Sequence, residues 1–341
     1  MKVTLLGTGC PQCSPKRMGP ANLLQQAGVQ VLVDCGSGVT QRLLAAGSSS
    51  AALDAVLLTH LHSDHIIDLY QLIQTGWHQG RDRPHRIFGP KGTRKFVTAL
   101  MDLWREERAL RIAHEQRPSL AGLELDITEI TADGPFLDLN GLRVSAVTVD
   151  HAPVASAFGF VFETGRAGAG EKGEKGEKGE KVVFSGDTRY CPALIAAARQ
   201  ADLLVHECFI HRALPVIEGV RSAQTLAAMT AYHTRSDQVG QVAHEAQVKF
   251  LLLNHFVPVE FDRQAVAAEV AARFKGPFAI GAASSGLARR HQKFGSSVSS
   301  SRIQLAKAWI FGRSASVYFA TRHQPGAWRA ISLNGRIKRP E

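Results

Sequence analysis

Three histidines and one aspartate fall within six positions in His60-Leu61-His62-Ser63-Asp64-His65, directly after the apolar run Ala55-Val56-Leu57-Leu58. Imidazole nitrogen and carboxylate oxygen suit a borderline divalent cation such as zinc. The run reads as a buried strand. Residues 60 and 62 are spaced as in extended chain, while 64 and 65 stand where the strand gives way to the helical pattern Ile66, Ile67, Leu69, Tyr70, Leu72 and Ile73. One strand-to-helix corner can therefore serve two metals, with His60 and His62 toward one and Asp64 and His65 toward the other.

Three more ligand-type residues stand where apolar runs end: His151 after Thr148-Val149-Asp150, Asp187 after Val182-Val183-Phe184-Ser185-Gly186, and His255 after Lys249-Phe250-Leu251-Leu252-Leu253-Asn254. With the corner they make five histidines and two aspartates. A zinc with three His, a second with one Asp and two His, and one Asp bridging both use this set without remainder, and each metal keeps a position for water. Metals ~3.5–4 Å apart share a hydroxide with a pKa lowered toward ~7 and steady both attacking and leaving oxygens. The chemistry is hydrolysis, and the cationic centre favours phosphodiesters and other anionic esters or amides. His233 lies just ahead of a helix and Glu207 closes a strand, so they are candidates for an acid and its orienting carboxylate, protonating the leaving oxygen. His206 reads as a buried strand residue.

The elements that must position these groups follow from periodicity. Residues 2–6, 21–25 and 29–34 read as strands, with a glycine-rich loop at Gly7-Thr8-Gly9 and a turn at Ala27-Gly28; Asp34-Cys35-Gly36-Ser37-Gly38 leads into a helix. Strand 54–59, the His/Asp corner, strand 86–90 and one helix over 92–110 come next. Apolar runs at 123–130, 142–149 and 156–162 suggest a second set of strands. Strands at 182–188, 202–207 and 249–255 then alternate with helices at 192–199, 222–231, 236–247 and 263–274. This order fits two sheets packed face to face with helices outside.

Length and composition bound the rest. A chain of 341 residues with 45% hydrophobic and 21% charged residues is an ordinary globular composition, and no window approaches the ~20 apolar residues of a membrane span. The N-terminal run lacks the longer apolar core of a signal peptide, and five cysteines without framework spacing fit a reducing compartment; the expectation is a cytoplasmic protein. Cys10-Pro11-Gln12-Cys13 reads as two free thiols in a loop. Residues 282–341 hold eleven Lys or Arg and one acid, so they carry the whole net charge of +10, while residues 1–281 hold 29 charges of each sign. The chain accordingly divides into a catalytic body, 1–281, and a basic, Ser-rich tail, 282–341, outside the catalytic fold. Within the body, the loop 164–181 contains Glu-Lys-Gly three times over, with no apolar residue in the repeat, and reads as solvated and mobile.

Thr59-His60-Leu61-His62-Ser63-Asp64-His65 resembles the signature of the metallo-β-lactamase superfamily. Several segments are most similar to ribonuclease Z, the transfer-RNA 3′-processing endonuclease: Leu6-Gly7-Thr8-Gly9, Asp34 to Gly38, Gly80-Arg81-Asp82-Arg83-Pro84, Phe88-Gly89-Pro90, Ala157 to Phe160, Phe184 to Arg189, His206-Glu207 and His233-Thr234. The resemblance runs over residues 2 to about 280. It implies an α/β protein of the αββα four-layer sandwich type and two Zn2+ per chain, with Mn2+ or iron as alternatives. It further implies Asp187 as bridging ligand, a proton-transfer role for Asp64 with Glu207 and His233 as the paired helper, and a possible homodimer. The expected substrate is RNA, cleaved at a transfer-RNA 3′ trailer. Family members carry a long arm between the segments matching 157–162 and 182–188; here the interval holds little beyond the Glu-Lys-Gly repeat. The alternative substrate is therefore a small anionic ester such as a lactone, aryl sulfate or β-lactam.

Overall fold

The computed structural model describes residues 1–165 and 179–282, and the backbone of 286–288, 310–311, 320–322 and 328–330. Short extended segments, almost continuously buried, come first: β1 Lys2–Gly7, β2 Ala21–Gln26 and β3 Val29–Val33, a meander whose pairing runs Lys2↔Gln25 and Asn22↔Val33. Helix α1 (Val39–Ala45) crosses to β4 (Ala55–Leu57), which lies parallel to β3. The corner follows as a single turn, α2 (Ser63–Ile66), then α3 (Leu69–His78) and β5 (His85–Pro90). Helices α4 (Thr93–Leu103) and α5 (Arg105–Glu115) return the chain to β6 (Leu125–Ile130).

The second half supplies β7 (Gly134–Leu139), β8 (Leu142–Thr148), β9 (Phe158–Thr164) and β10 (Lys181–Phe184), then α6 (Pro192–Ala197) and β11 (Leu203–Phe209). Helices α7 (Ala223–Ala231) and α8 (Ser236–Glu245), β12 (Leu251–Val257), α9 (Arg263–Arg273) and β13 (Phe278–Ile280) complete it. These strands form one sheet in the order β13-β12-β11-β10-β9-β8-β7, and the first half forms another that runs β1 through β6 in sequence order.

Period-two alternation builds the layers. Val31 and Val33 point between the sheets with Phe160, Phe162 and Val205, while Leu32 points outward with Leu43, Leu72 and Ile73 beneath α1 and α3. On the far side Leu204, Leu251 and Leu253 meet Leu194, Val239 and Val266 from α6, α8 and α9. Three apolar clusters separated by two sheets make an αββα sandwich, the fold class the resemblance implies.

Four local expectations are revised. Residues 125–130 belong to the first sheet, because β5 and β6 pair in parallel from His85↔Leu125 to Pro90↔Ile130, and the chain changes sheets at residues 131–133. Strand β7 escapes a propensity reading because it begins Gly134-Pro135; it sits at the sheet edge, where a missing N–H is tolerated. The single helix over 92–110 breaks at Trp104 into α4 and α5. The corner helix breaks after Ile66 because its backbone pairs with Cys35: Asp68 N donates to the Cys35 carbonyl at 3.1 Å and Cys35 N to the His65 carbonyl at 2.6 Å.

Residues 166–178, which hold most of the Glu-Lys-Gly repeat, lie outside the described residues, as does most of the tail. Within the tail, β14 (Gly286–Ala288) pairs antiparallel with β1 through Val3↔Leu287, and β15 (Ile310–Phe311) pairs with β14. The first sheet therefore continues past residue 282. No helix among the described residues is long and apolar enough to cross a membrane.

Candidate metal centre

The site lies in the crevice at the carboxyl ends of β3, β4, β10 and β11, where an α/β arrangement gathers loops on a rigid frame. Backbone strain marks it on both sides. Asp34, just past β3, has φ of 63°, and His255 has φ of 42°, both in the left-handed region that side chains beyond Cβ avoid. His255 is also the extra residue of a β-bulge: β11 and β12 pair Glu207↔Asn254 and then Cys208↔Phe256. The bulge re-aims His255 into the crevice while Leu253 and Phe256 keep packing under the helices. Glycine allows the opposite wall to close, since a Cβ on Gly36 would stand 2.3 Å from the Asp64 carbonyl oxygen.

The seven residues named from spacing come together in two groups, His60, His62, His151 and Asp187, and Asp64, His65 and His255. In the first, His60 Nε2 is 3.0 Å from His62 Nδ1, and His151 Nε2 is 3.4 Å from the same atom. Asp187 Oδ2 lies 3.9 Å from His60 Nε2 and 4.0 Å from His151 Nε2. In the second, Asp64 Oδ2 is 3.6 Å from His65 Nε2 and 3.3 Å from His255 Nε2. The same Asp187 oxygen is 3.4 Å from His65 Nε2 and 3.3 Å from His255 Nε2, so it is common to both groups. Four ligands at ~2.0–2.1 Å from one zinc stand roughly 3.4 Å apart, which is the spacing found here.

Tautomers decide whether these nitrogens suit a cation. His151 Nδ1 donates to the Tyr232 carbonyl at 2.9 Å, leaving Nε2 as a lone pair. His65 Nδ1 donates to Asp34 Oδ2 at 2.9 Å, and its Nε2 is buried without a hydrogen-bond partner. His60 Nδ1 sits 3.0 Å from Thr59 Oγ1, which itself donates to Asp34, so His60 Nε2 is again unprotonated. The free nitrogens of His60 and His151 converge on His62 Nδ1, at 3.0 and 3.4 Å. The donor set fits two divalent cations, with the outer nitrogens of three histidines held as metal-bound histidines require.

Titration states point the same way. Burial pushes the imidazole of His60 well below its ordinary range, and that of His151 down to about 4. Burial opposes the shift at His65, yet the Asp187, Asp34 and Asp64 carboxylates hold it well above the usual imidazole range. Asp187 is likewise held far down despite burial, by His255 and His65. This is a buried well of negative charge.

His233 and Glu207 meet beside it. Glu207 Oε2 accepts from His233 Nδ1 at 2.9 Å, and Oε1 accepts from Thr188 N at 2.8 Å and Thr234 N at 3.3 Å. His233 Nδ1 is 4.0 Å from Asp187 Oδ2. Burial lowers the His233 imidazole and raises the Glu207 carboxyl, the latter with help from the Asp187 carboxylate. His206 is buried, its Nδ1 bonded to the Glu207 carbonyl, and belongs to neither group. Cys10 and Cys13 are both free thiols, the first buried and pushed up to about 11 by desolvation.

Sequence reasoning passed over the outer residues. Asp34 orients His65, receives Thr59 N at 2.8 Å and anchors the corner. Its signal was an acid followed by Cys-Gly at a strand end. Thr188, Thr234 and Tyr232 hold Glu207 and His151 through backbone groups, which no side-chain pattern reveals.

The chain matches the family model described as Anti-Pycsar protein Apyc1 over residues 1–254. It is 37% identical over 261 residues to a ribonuclease Z of Mycolicibacterium paratuberculosis, covering 76% of this chain and 86% of that one. Its fold is similar to the metallo-β-lactamase fold protein YhfI of Bacillus subtilis, with a TM-score of 0.60, 23% identity, and 83% and 97% of the two chains covered. The human short form of tRNase Z superposes with a TM-score of 0.57 at 25% identity, covering 75% and 92%. Extent, identity and the shared fold lead to one placement: the chain belongs to the Apyc1 and ribonuclease Z family of metal-dependent hydrolases with the metallo-β-lactamase fold.

Proposed function

We propose that the protein is a dinuclear zinc phosphodiesterase of the ribonuclease Z type that cleaves RNA at a transfer-RNA 3′ trailer. The observation that carries the dinuclear reading is the single Asp187 oxygen lying 3.3–4.0 Å from imidazoles of both ligand groups. His60, His62 and His151 would hold one ion, Asp64, His65 and His255 the other, and Asp187 both. Bound there, two such ions supply Lewis acidity and an acidified water at neutral pH.

The chain's own groups do the rest. Asp34 and the Tyr232 carbonyl fix the rings of His65 and His151, so their free nitrogens stay aimed inward. Asp64 closes the second group and, beside the crevice, takes up and passes on a proton. Glu207 accepts from His233 Nδ1 and steadies the doubly protonated ring, whose Nε2–H gives its proton to the departing ribose oxygen; positioned acids of this kind contribute ~10²–10⁴ in rate. The RNA assignment rests on ribonuclease Z relatives that match most of their own length.

A second reading, hydrolysis of a small anionic ester, is favoured by one observation: β9 ends at Thr164 and β10 begins at Lys181, so the connecting segment is short. Metal-replete protein incubated with a 3′-extended precursor transfer RNA, with His60→Ala as blank, separates the two. Cleavage just past the acceptor stem supports the RNA reading. No cleavage by fully metallated protein would transfer the assignment to the small esters.

A further inference from the structure

Tyr232 stands directly before His233 and plays no part in the chemistry described so far except through its carbonyl. Its ring packs against two site imidazoles, 4.5 Å from His233 and 5.0 Å from His151, centroid to centroid. Those two rings are themselves in contact, at 5.2 Å. His233 is further stacked on Phe209 at 5.5 Å with the planes 5° apart, so the aromatic group has a buried base. The phenol is thus clamped, and it is neither buried nor fully exposed. Its hydroxyl makes no hydrogen bond among the described residues, whereas Tyr70 and Tyr190 each donate to a glutamate.

We infer that Tyr232 is a substrate-contacting residue whose phenol hydroxyl donates a hydrogen bond to a non-bridging oxygen of the tetrahedral anionic group undergoing hydrolysis. The inference rests on the phosphodiesterase reading and deepens it. The ring contacts supply the position, since a phenol packed against two site imidazoles is held at the crevice. A donor fixed before the substrate arrives pays little reorganisation when negative charge builds on the phosphoryl oxygens. A phenol keeps its proton at neutral pH, so the hydroxyl is a donor there. An approaching phosphodiester would meet a neutral O–H beside the carboxylates, a group that attracts the anion without adding charge.

The test compares Tyr232→Phe with Tyr232→Leu on metal-loaded protein, using bis(p-nitrophenyl) phosphate for turnover and orthovanadate for binding. Hydrogen bonds to charged groups correspond to about 10- to 100-fold. The expected result is that Phe alone lowers kcat/KM and vanadate affinity together by that factor, with metal content and thermal midpoint as in the wild type, and that Leu adds little more. A Phe variant within twofold of wild type in both readouts would overturn the inference and leave the ring a packing role. A loss that follows loss of metal would overturn it too. Failure of the wild type to hydrolyse any phosphodiester would instead refute the function proposed above, and vanadate binding to the Phe variant would still decide whether the hydroxyl contacts a tetrahedral oxyanion.

Discussion

At the scale of single residues, the nitrogen that a histidine offers is set by what its other nitrogen holds. Asp34 is the clearest case, because it receives His65 Nδ1, Thr59 N and Thr59 Oγ1 with one carboxylate. Asp34→Ala should weaken metal binding by about 10- to 100-fold, read by competition with a chromophoric chelator, although Asp34 is no ligand. Unchanged affinity would show that the tautomers are set elsewhere. His233 gives a sharper test of role. Replacement by Ala should slow release of a poor leaving group such as a ribose hydroxyl by ~10²–10⁴, while the p-nitrophenyl ester, whose leaving group needs no proton, loses little. Equal losses on both esters would remove His233 from the acid's position. The cluster of candidate ligands was legible from sequence because its chemistry is unusual and its spacing dense. Asp34, Thr188 and Tyr232 were not, because they act on partners 19 to 81 positions away.

At the scale of elements, the site depends on backbone that departs from regular geometry. The His255 bulge and the left-handed Asp34 turn lie on opposite sheets, and each aims one side chain that a regular strand would have sent elsewhere. Gly36, two residues past that turn, packs its α-carbon against the Asp64 carbonyl. Gly36→Ala forces that wall to move; a cost of ~1–3 kcal/mol is typical of overpacking. The expected outcome is a lower thermal midpoint together with weaker binding of the ion held by Asp64, His65 and His255. A variant with wild-type midpoint and metal affinity would mean that the wall yields without strain. Strand positions were readable because their apolar runs are continuous, and the bulge was not, since Asn254-His255-Phe256 carries no local mark of an extra residue. The grouping of β6 failed for a related reason: an apolar run says that a strand is buried and leaves open which sheet it joins.

At the scale of the whole molecule, two sheets bury one apolar layer between them and present a line of strand ends to solvent, and the centre sits along that line. On the proposed reading, seven ligands drawn from both sheets would add ties between the halves when cations are bound. Chelation should therefore lower the thermal midpoint: two ions at ~100 times their Kd contribute about 5 kcal/mol, equivalent to roughly 7 °C for a chain of this size. An unchanged midpoint after complete metal removal would show that the halves hold without the ions. The tail enters at this scale as well. Its basic excess was plain from composition, whereas the pairing of β14 with β1 was not, because three residues carry no periodicity. A chain ending at residue 281 should keep hydrolysis of a small diester and lose part of the salt dependence of RNA binding, read as the slope of log K against log salt. An unaltered slope would dissociate the tail from RNA.

One oxygen, Asp187 Oδ2, is shared by both groups of candidate ligands. A crystal structure of the metal-loaded protein, with anomalous scattering at the metal edges, would locate the ions directly. Two cations per chain about 3.5–4 Å apart, both bonded to Asp187, are the predicted result. A single ion, or two ions of which only one touches Asp187, would contradict it.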